Sequence, residues 1–258
     1  MQNLNAAPTT PHPPFPVKFN AYELAVERFR WTTDEYYRAA ELGVFEGRHV
    51  ELIEGDIMLK TDHDRFTHYN GEGEPPRFQW TSDLYDRLAE AGVFEGKRIE
   101  LIEGEIVEMA PMGPRHFVTI NLVAELLTSV FGKGFFVSSQ NQLDVDKRSQ
   151  PEPDIAVLTG SPRDYVGGHP KTLVLAVEVA DSSIKRDRLY KTKLYAKAGI
   201  EDYWIVNLAD NCVEVYRKPV NDPELGFIYL ENSVFGEDES VSPLAKPGAK
   251  IAVADIMP

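Results

Sequence analysis

Two short apolar stretches, PEPDIAV at residues 151–157 and LVLAVEVADSS at residues 173–183, decide how this chain is read. Each carries one carboxylate, Asp154 or Glu178, at a position where a hydrophobic strand would bury it. An unpaired buried charge is expensive, so such a group is matched by a cation or a metal. The two acids lie 24 residues apart (178 − 154), enough for a loop and a return onto neighbouring strands of one sheet with the side chains converging. A pair of this kind suits Mg²⁺ (or Mn²⁺), which takes oxygen ligands and needs only one or two protein carboxylates beside waters and substrate phosphate. The ion would lower the pKa of a bound water and neutralise charge on a phosphodiester during in-line attack. In the structural alternative, Asp154 ends a turn after Pro153 and Glu178 pairs with a lysine; the two acids alone leave both readings open.

The segment that follows, residues 183–198, is expected to be a helix with Ser183 as N-cap and Gly199 as its stop. At about 100° per residue, Ile184, Asp187, Lys191, Leu194, Tyr195 and Ala198 fall on one stripe, with Arg186, Lys193 and Lys197 on the other side. Lys191 is therefore expected to reach over the sheet edge toward the metal site, where an ammonium orients the attacking water or stabilises the pentavalent phosphate. Asp187 is an auxiliary candidate; a simple Asp187–Lys191 pair at i, i+4 is the structural alternative. Lys185, Arg186, Arg188, Lys191, Lys193 and Lys197 fall within thirteen residues that hold a single acid, Asp187, and Lys185, Arg186, Arg188 and Lys193 are candidates for local nucleic-acid contact. The net charge of −14 argues against a protein that coats nucleic acid non-specifically, since Lys and Arg supply that affinity.

Around these pieces the chain reads as an α/β sandwich on a mixed sheet flanked by helices. Residues 115–131 place Phe117, Ile120, Val123, Ala124, Leu127 and Phe131 at helical spacing. Strands are expected at residues 135–145, 154–158, 173–179, 202–208 and 212–218. Trp31, Trp80, Trp204 and Tyr203 are read as core or interface aromatics. The 258 residues, 43% of them hydrophobic, suffice for one substantial core, and no run approaches the ~18 apolar residues of a membrane span. A cytoplasmic protein is expected. Cys212 is the only cysteine, so no internal disulfide forms.

The N-terminal part holds an internal repeat. RFRWTTDEYYRAAELGVFEGRHVELIEGDIMLK (28–60) aligns without gaps on RFQWTSDLYDRLAEAGVFEGKRIELIEGEIVEM (77–109), offset by 49 residues, with 20 of 33 positions identical. Each copy reads as a helix followed by a strand pair hinged at Gly55 or Gly104. The organisation expected is a Pro-rich disordered or extended tail (1–27), a duplicated helix-hairpin arm (28–60), a polar linker (61–76) and an α/β domain (77–258). Glu100, Glu103 and Glu105 are assigned to the hairpin, because the first copy keeps Glu51, Glu54 and Asp56 without the downstream acids. His63 and His68 in the linker are weak metal candidates, and His116 is read chiefly as capping the helix it begins.

RIELIEGEIVEM, the helix led by His116, PEPDIAV, LAVEVADSS, RDRLYKTKLYAKAGI and DYWIVN, in this order, closely resemble the Uma-two family of bacterial endonucleases, a branch of the restriction-endonuclease-like PD-(D/E)XK superfamily. The resemblance covers residues 77–218. It implies a metal-dependent nuclease fold acting on DNA, Asp154 and Glu178 as metal ligands, a ligand from the backbone carbonyl of Val179, and a homodimer that cuts both strands. Gln140 matches a position often Gln in the family and is, with Glu152, an auxiliary candidate. The superfamily lysine normally stands two residues after the acid; that position is Ala180 here, and Lys191 matches the helix lysine of the Uma-two branch. The alternative is a catalytically inactive nuclease fold kept as a binding or regulatory module. For the dimer, one arrangement has the arm occupy, in a partner subunit, the surface that the second copy occupies in its own; the duplication alone leaves packing in cis or in trans open.

Overall fold

The computed structural model describes residues 28–60, 77–109, 111–181 and 183–258. The Pro-rich tail, the linker and its histidines His63 and His68 lie outside the described residues. The centre is a six-stranded sheet in the order β10-β9-β8-β7-β6-β5. Its strands are β5 (Phe135–Ser139), β6 (Ile155–Thr159), β7 (Leu175–Ala180), β8 (Asp202–Asn207), β9 (Cys212–Asp222) and β10 (Gly226–Gly236). Only β7 and β8 run parallel; the other neighbours are antiparallel. Parallel neighbours need a crossover, and Ile184–Lys197 supply it as a helical segment packed on one face.

Period-two alternation sorts the strand residues. Ile155, Val157, Val177, Val179, Trp204 and Val206 meet α3 (Pro114–Phe131) through Ile120, Val123, Leu127 and Phe131. Ala156, Ala176, Ala180, Tyr203 and Ile205 face the opposite side, against Tyr195 and Ile200. A short hairpin, β11 (Ser240–Val241) with β12 (Ile251–Ala252), closes the α3 side.

Several expectations need correction. The strand forecast for residues 135–145 stops at Ser139, where Gln140 takes a left-handed φ of +53° and turns the chain away. Phe117 is 59% exposed, since it sits on the outer side of α3. The helix expected over 183–198 is interrupted: α4 (Ile184–Arg186) passes into a π turn, Asp187–Lys191, before α5 (Thr192–Lys197). Strand β10 had no counterpart in the sequence reading.

Residues 28–60 form α1 (Thr33–Glu41), β1 (Val50–Ile53) and β2 (Asp56–Leu59); residues 77–109 form α2 (Ser82–Glu90), β3 (Ile99–Ile102) and β4 (Glu105–Glu108). Each hairpin closes on a two-residue Glu-Gly turn with positive φ at both positions, 48° and 84° for Glu54-Gly55, 51° and 85° for Glu103-Gly104. That geometry matches the strand twist and is why Gly stands second. The two stretches share one core of Phe29, Trp31, Phe45, Phe78, Trp80, Tyr85, Leu88 and Phe94. The first therefore packs on the second within a single chain, a choice between cis and trans that the duplication alone left open. The β3–β4 hairpin in turn docks on the crossover helix through Ile102, Val107, Tyr190 and Leu194.

Candidate functional site

The register of β6 and β7 pairs Ile155 with Val177, so Asp154, one residue earlier, falls opposite Glu178. Ala156 and Ala176 share the face away from α3, and alternation puts Asp154 and Glu178 on that same face. Both are buried, 4% and 5% exposed, and the Asp154 N–H donates to Glu178 Oε2 at 3.4 Å. Asp154 Oδ2 accepts from the Val179 N–H at 2.9 Å and lies 2.9 Å from His116 Nε2 at the start of α3. Glu178 Oε1 accepts from the Tyr195 hydroxyl at 2.5 Å and sits 3.3 Å from Lys191 Nζ.

Lys191 closes the π turn, fully enclosed, and its ammonium also donates to Glu100 Oε2. Glu100 is the residue that sequence reasoning assigned to the hairpin alone. It stands in mid-strand with 0% exposure, and its Oε2 accepts from the Glu152 N–H at 3.2 Å. Its Oε1 has no hydrogen-bond partner among the described residues. Its equivalent Glu51 is half-exposed and pairs with Lys60 at 3.3 Å, so identical local sequence yields a surface ion pair in one copy and a buried charge in the other.

Burial pushes the Glu178 carboxyl up to about 8; Lys191 pulls the other way, and Asp154, Asp187 and Glu100 add to the rise. Asp187 is raised to about 6 by burial, against the pull of Arg186, the Ser183 hydroxyl and Lys191. Its Oδ2 accepts from Ser183 Oγ at 2.6 Å. Burial alone would depress the Lys191 ammonium, but Glu100 and Glu178 outweigh it and hold it above the ordinary lysine range.

These groups line a cavity of about 50 Å³ together with Arg98 and Arg186. Among the described residues no trio of His, Cys, Asp or Glu is disposed to hold a metal. The paired carboxylates and the orphaned buried oxygen of Glu100 still fit a hard cation, since Mg²⁺ takes few protein ligands and completes its shell with water and phosphate.

The remaining candidates are dispersed. Val179 presents its N–H to Asp154 while its side chain lies in the α3 core. Gln140 donates its N–H to the Pro153 and Asp154 carbonyls, 3.2 Å each, and its side chain is not among those lining the cavity. Glu152 lines a neighbouring cavity with Tyr85, Phe94 and Arg98, and burial followed by Glu100 raises it to about 7. Arg188 holds Glu214 through Nε at 3.0 Å and Nη2 at 2.5 Å. Lys197 pairs with Asp146 at 2.6 Å and Glu103 at 3.1 Å. Lys185 is exposed, and Arg186 and Lys193 are half-buried. Glu103 accepts from Lys197 Nζ at 3.1 Å and Glu105 from Gln79 Nε2 at 3.0 Å, and neither lines the cavity. Besides Glu100, Arg98 was missed, since no motif marks it, and His116 was undervalued, its place at the head of α3 being taken for a cap.

A crystal structure of a putative nuclease belonging to DUF820 from Anabaena variabilis ATCC 29413 is similar to this chain at 18% identity, with a TM-score of 0.48, covering 61% of this chain and 88% of that one. No curated protein matches it. No helix among the described residues is long and apolar enough to cross a membrane. The Uma2 family model, described as "Putative restriction endonuclease", matches residues 82–254, a span from α2 to β12 that contains every group lining the cavity. The chain belongs to the Uma2 family.

Proposed function

We propose that this chain is a Mg²⁺- or Mn²⁺-dependent endodeoxyribonuclease of the cytoplasm, hydrolysing DNA phosphodiester bonds with a metal-activated water. The observation that carries the reading is the meeting of Asp154 and Glu178 on one sheet face with the Lys191 ammonium 3.3 Å from Glu178. Asp154, Glu178 and the Val179 carbonyl are the proposed metal ligands; when bound, the ion supplies Lewis acidity and an acidified water. The chain's own residues do the rest. His116 Nε2 fixes the Asp154 carboxylate, and the Tyr195 hydroxyl fixes Glu178. Lys191 opposes the burial that favours a protonated Glu178, without outweighing it, and its side chain lines the cavity. Asp187 and Glu152 are auxiliary acids, and Gln140 braces the Asp154 backbone. Arg186, with Lys185 and Lys193, contacts the DNA backbone; Arg188, committed to Glu214, is the weakest of the four for that role. In this organisation residues 77–258 are the nuclease domain and residues 28–60 a duplicated arm. The homodimer expected for two-strand cutting remains part of the proposal, closed by a surface other than the one the arm covers.

The test is incubation of purified protein with supercoiled plasmid and Mg²⁺ or Mn²⁺, beside Asp154→Ala. Nicking that vanishes in the variant supports the reading. Equal nicking by both reports a contaminant, and no nicking by either favours the binding-module alternative, which Ala180 and the engagement of Lys191 by Glu100 also favour.

A further inference from the structure

The contacts between residues 28–60 and 77–109 are reciprocal. The Phe29 N–H donates to the Ile106 carbonyl at 2.9 Å, and the Phe78 N–H to the Ile57 carbonyl at 2.8 Å. Arg28 bridges Val107 as Arg77 bridges Met58. The Arg38 guanidinium donates to the Ala91 and Gly92 carbonyls at the end of α2, and Arg87 to the Leu42 carbonyl at the end of α1. Phe29 meets Phe94 edge-on at 5.5 Å, and Phe45 meets Phe78 at 5.3 Å. Lys97 lies over the Phe29 ring and Arg48 over Phe78. Trp31 and Trp80 stack on each other at 4.9 Å and 16°. Adding or subtracting 49 turns all of these contacts except Arg38–Gly92 into their counterparts, the signature of an isologous interface built here from two stretches of one chain.

Phe29, Trp31, Arg38 and Phe45 of the first unit recur in the second as Phe78, Trp80, Arg87 and Phe94, and Arg48 as Lys97; the Glu35–Lys97 ion pair has no counterpart, because Leu84 stands at the position of Glu35. We propose that the face of residues 77–109 covered by residues 28–60 is a self-complementary dimerisation face, whose fitting partner is a second copy of this chain and whose place the first unit fills. A second unit whose neighbour is displaced carries both halves of the contact and pairs with its counterpart, Trp80 stacking on Trp80 across the axis. With the face filled internally, the chain keeps its one catalytic cavity out of that pairing.

The test is sedimentation velocity on the full chain. Trp31→Asp with Arg38→Glu weakens the first unit's hold while leaving the second intact. The expected result is a species of twice the wild-type mass, forming reversibly between about 1 and 100 µM, the weak end for an interface of ordinary size. Adding Trp80→Asp returns the mass to that of wild type. A folded double variant that keeps the wild-type mass overturns the proposal, as does a doubling that survives Trp80→Asp. Should the substitutions unfold the protein, a protease site placed in residues 61–76 separates the units without altering either. After cleavage and separation, a C-terminal fragment with twice as many copies per particle as the uncleaved chain supports the proposal. The same copy number as the uncleaved chain overturns it, because an isologous face joins copies in pairs.

Discussion

Replacing Lys191 by Met removes the one ammonium that touches both Glu100 and Glu178 while keeping the length and most of the volume of the side chain. Both carboxylates are at least 95% buried, so water does not replace the lost cation. Breaking a buried pair by deleting one partner typically costs about 3–5 kcal/mol. With about 2–4 °C of midpoint shift per kcal/mol for a domain of this size, the melting temperature is expected to fall by roughly 6–20 °C. The loss depends on pH with a definite sign. Without Lys191 the Glu178 carboxyl rises further above its unfolded value, so the folded form binds the extra proton and the variant weakens as pH climbs. Its deficit against wild type is therefore larger at pH 8 than at pH 5.5. Thermal melts of wild type, Lys191→Met, Glu100→Gln and the double variant form a cycle. The double variant, which leaves a neutral amide in place of one stranded charge, is expected to melt above Lys191→Met alone. A single variant that loses less than about 1 kcal/mol, or a double variant that loses the sum of both singles, refutes the buried ion-pair account.

Three further outcomes follow from the same contacts. Glu178, Asp187 and Glu152 all have carboxyls raised by burial, to about 8, 6 and 7, so without divalent ions stability declines from about pH 4.5 to pH 8 as each is forced to ionise; melts across that range check it, and Glu178→Gln should flatten the curve. Gly104→Ala places a Cβ 2.9 Å from Arg148 and Gln79 at a φ of +85° and should cost about 1–3 kcal/mol in chemical denaturation, whereas Gly47→Ala, with nothing within 4 Å, bears only the strain of its φ of +72° and should cost less. Arg38→Ala loses its bonds to the end of α2 and should cost about 1 kcal/mol, and Arg87→Ala should match it if the two units are as reciprocal as their contacts.

The acids of the site were legible because each is a charge within or at the mouth of an apolar strand whose neighbours alternate between the two faces. Once Ile155 and Val157 face α3, Asp154 must face the other way, and the same parity governs Glu178 between Val177 and Val179. Helix arithmetic carried Asp187 and Lys191 inward for the same reason, and both are 2% exposed despite the π turn between them. Glu100 was not legible. ELIEG occurs in both units, and only tertiary docking of the β3–β4 hairpin on the crossover helix buries the second copy's acid. Strand β10 escaped because its residues alternate weakly and its middle is solvent-exposed, so no apolar period marks it. His116 lacked a signal of its own: its partner Asp154 is 38 residues away and meets it only when α3 packs on the sheet.

The π turn at Asp187–Lys191 acts like one extra tooth on a screw. A π turn accommodates one residue more than a regular α-helix would. A chain shortened by a single residue between Asp187 and Lys191 could wind regularly, but everything beyond the deletion would be rotated by about 100° relative to what precedes it. Ser183–Asp187 and Lys191–Glu178 could then no longer both be kept. In this helix, deletions of one residue should be less tolerated than substitutions, a pattern opposite to that of the loops around it.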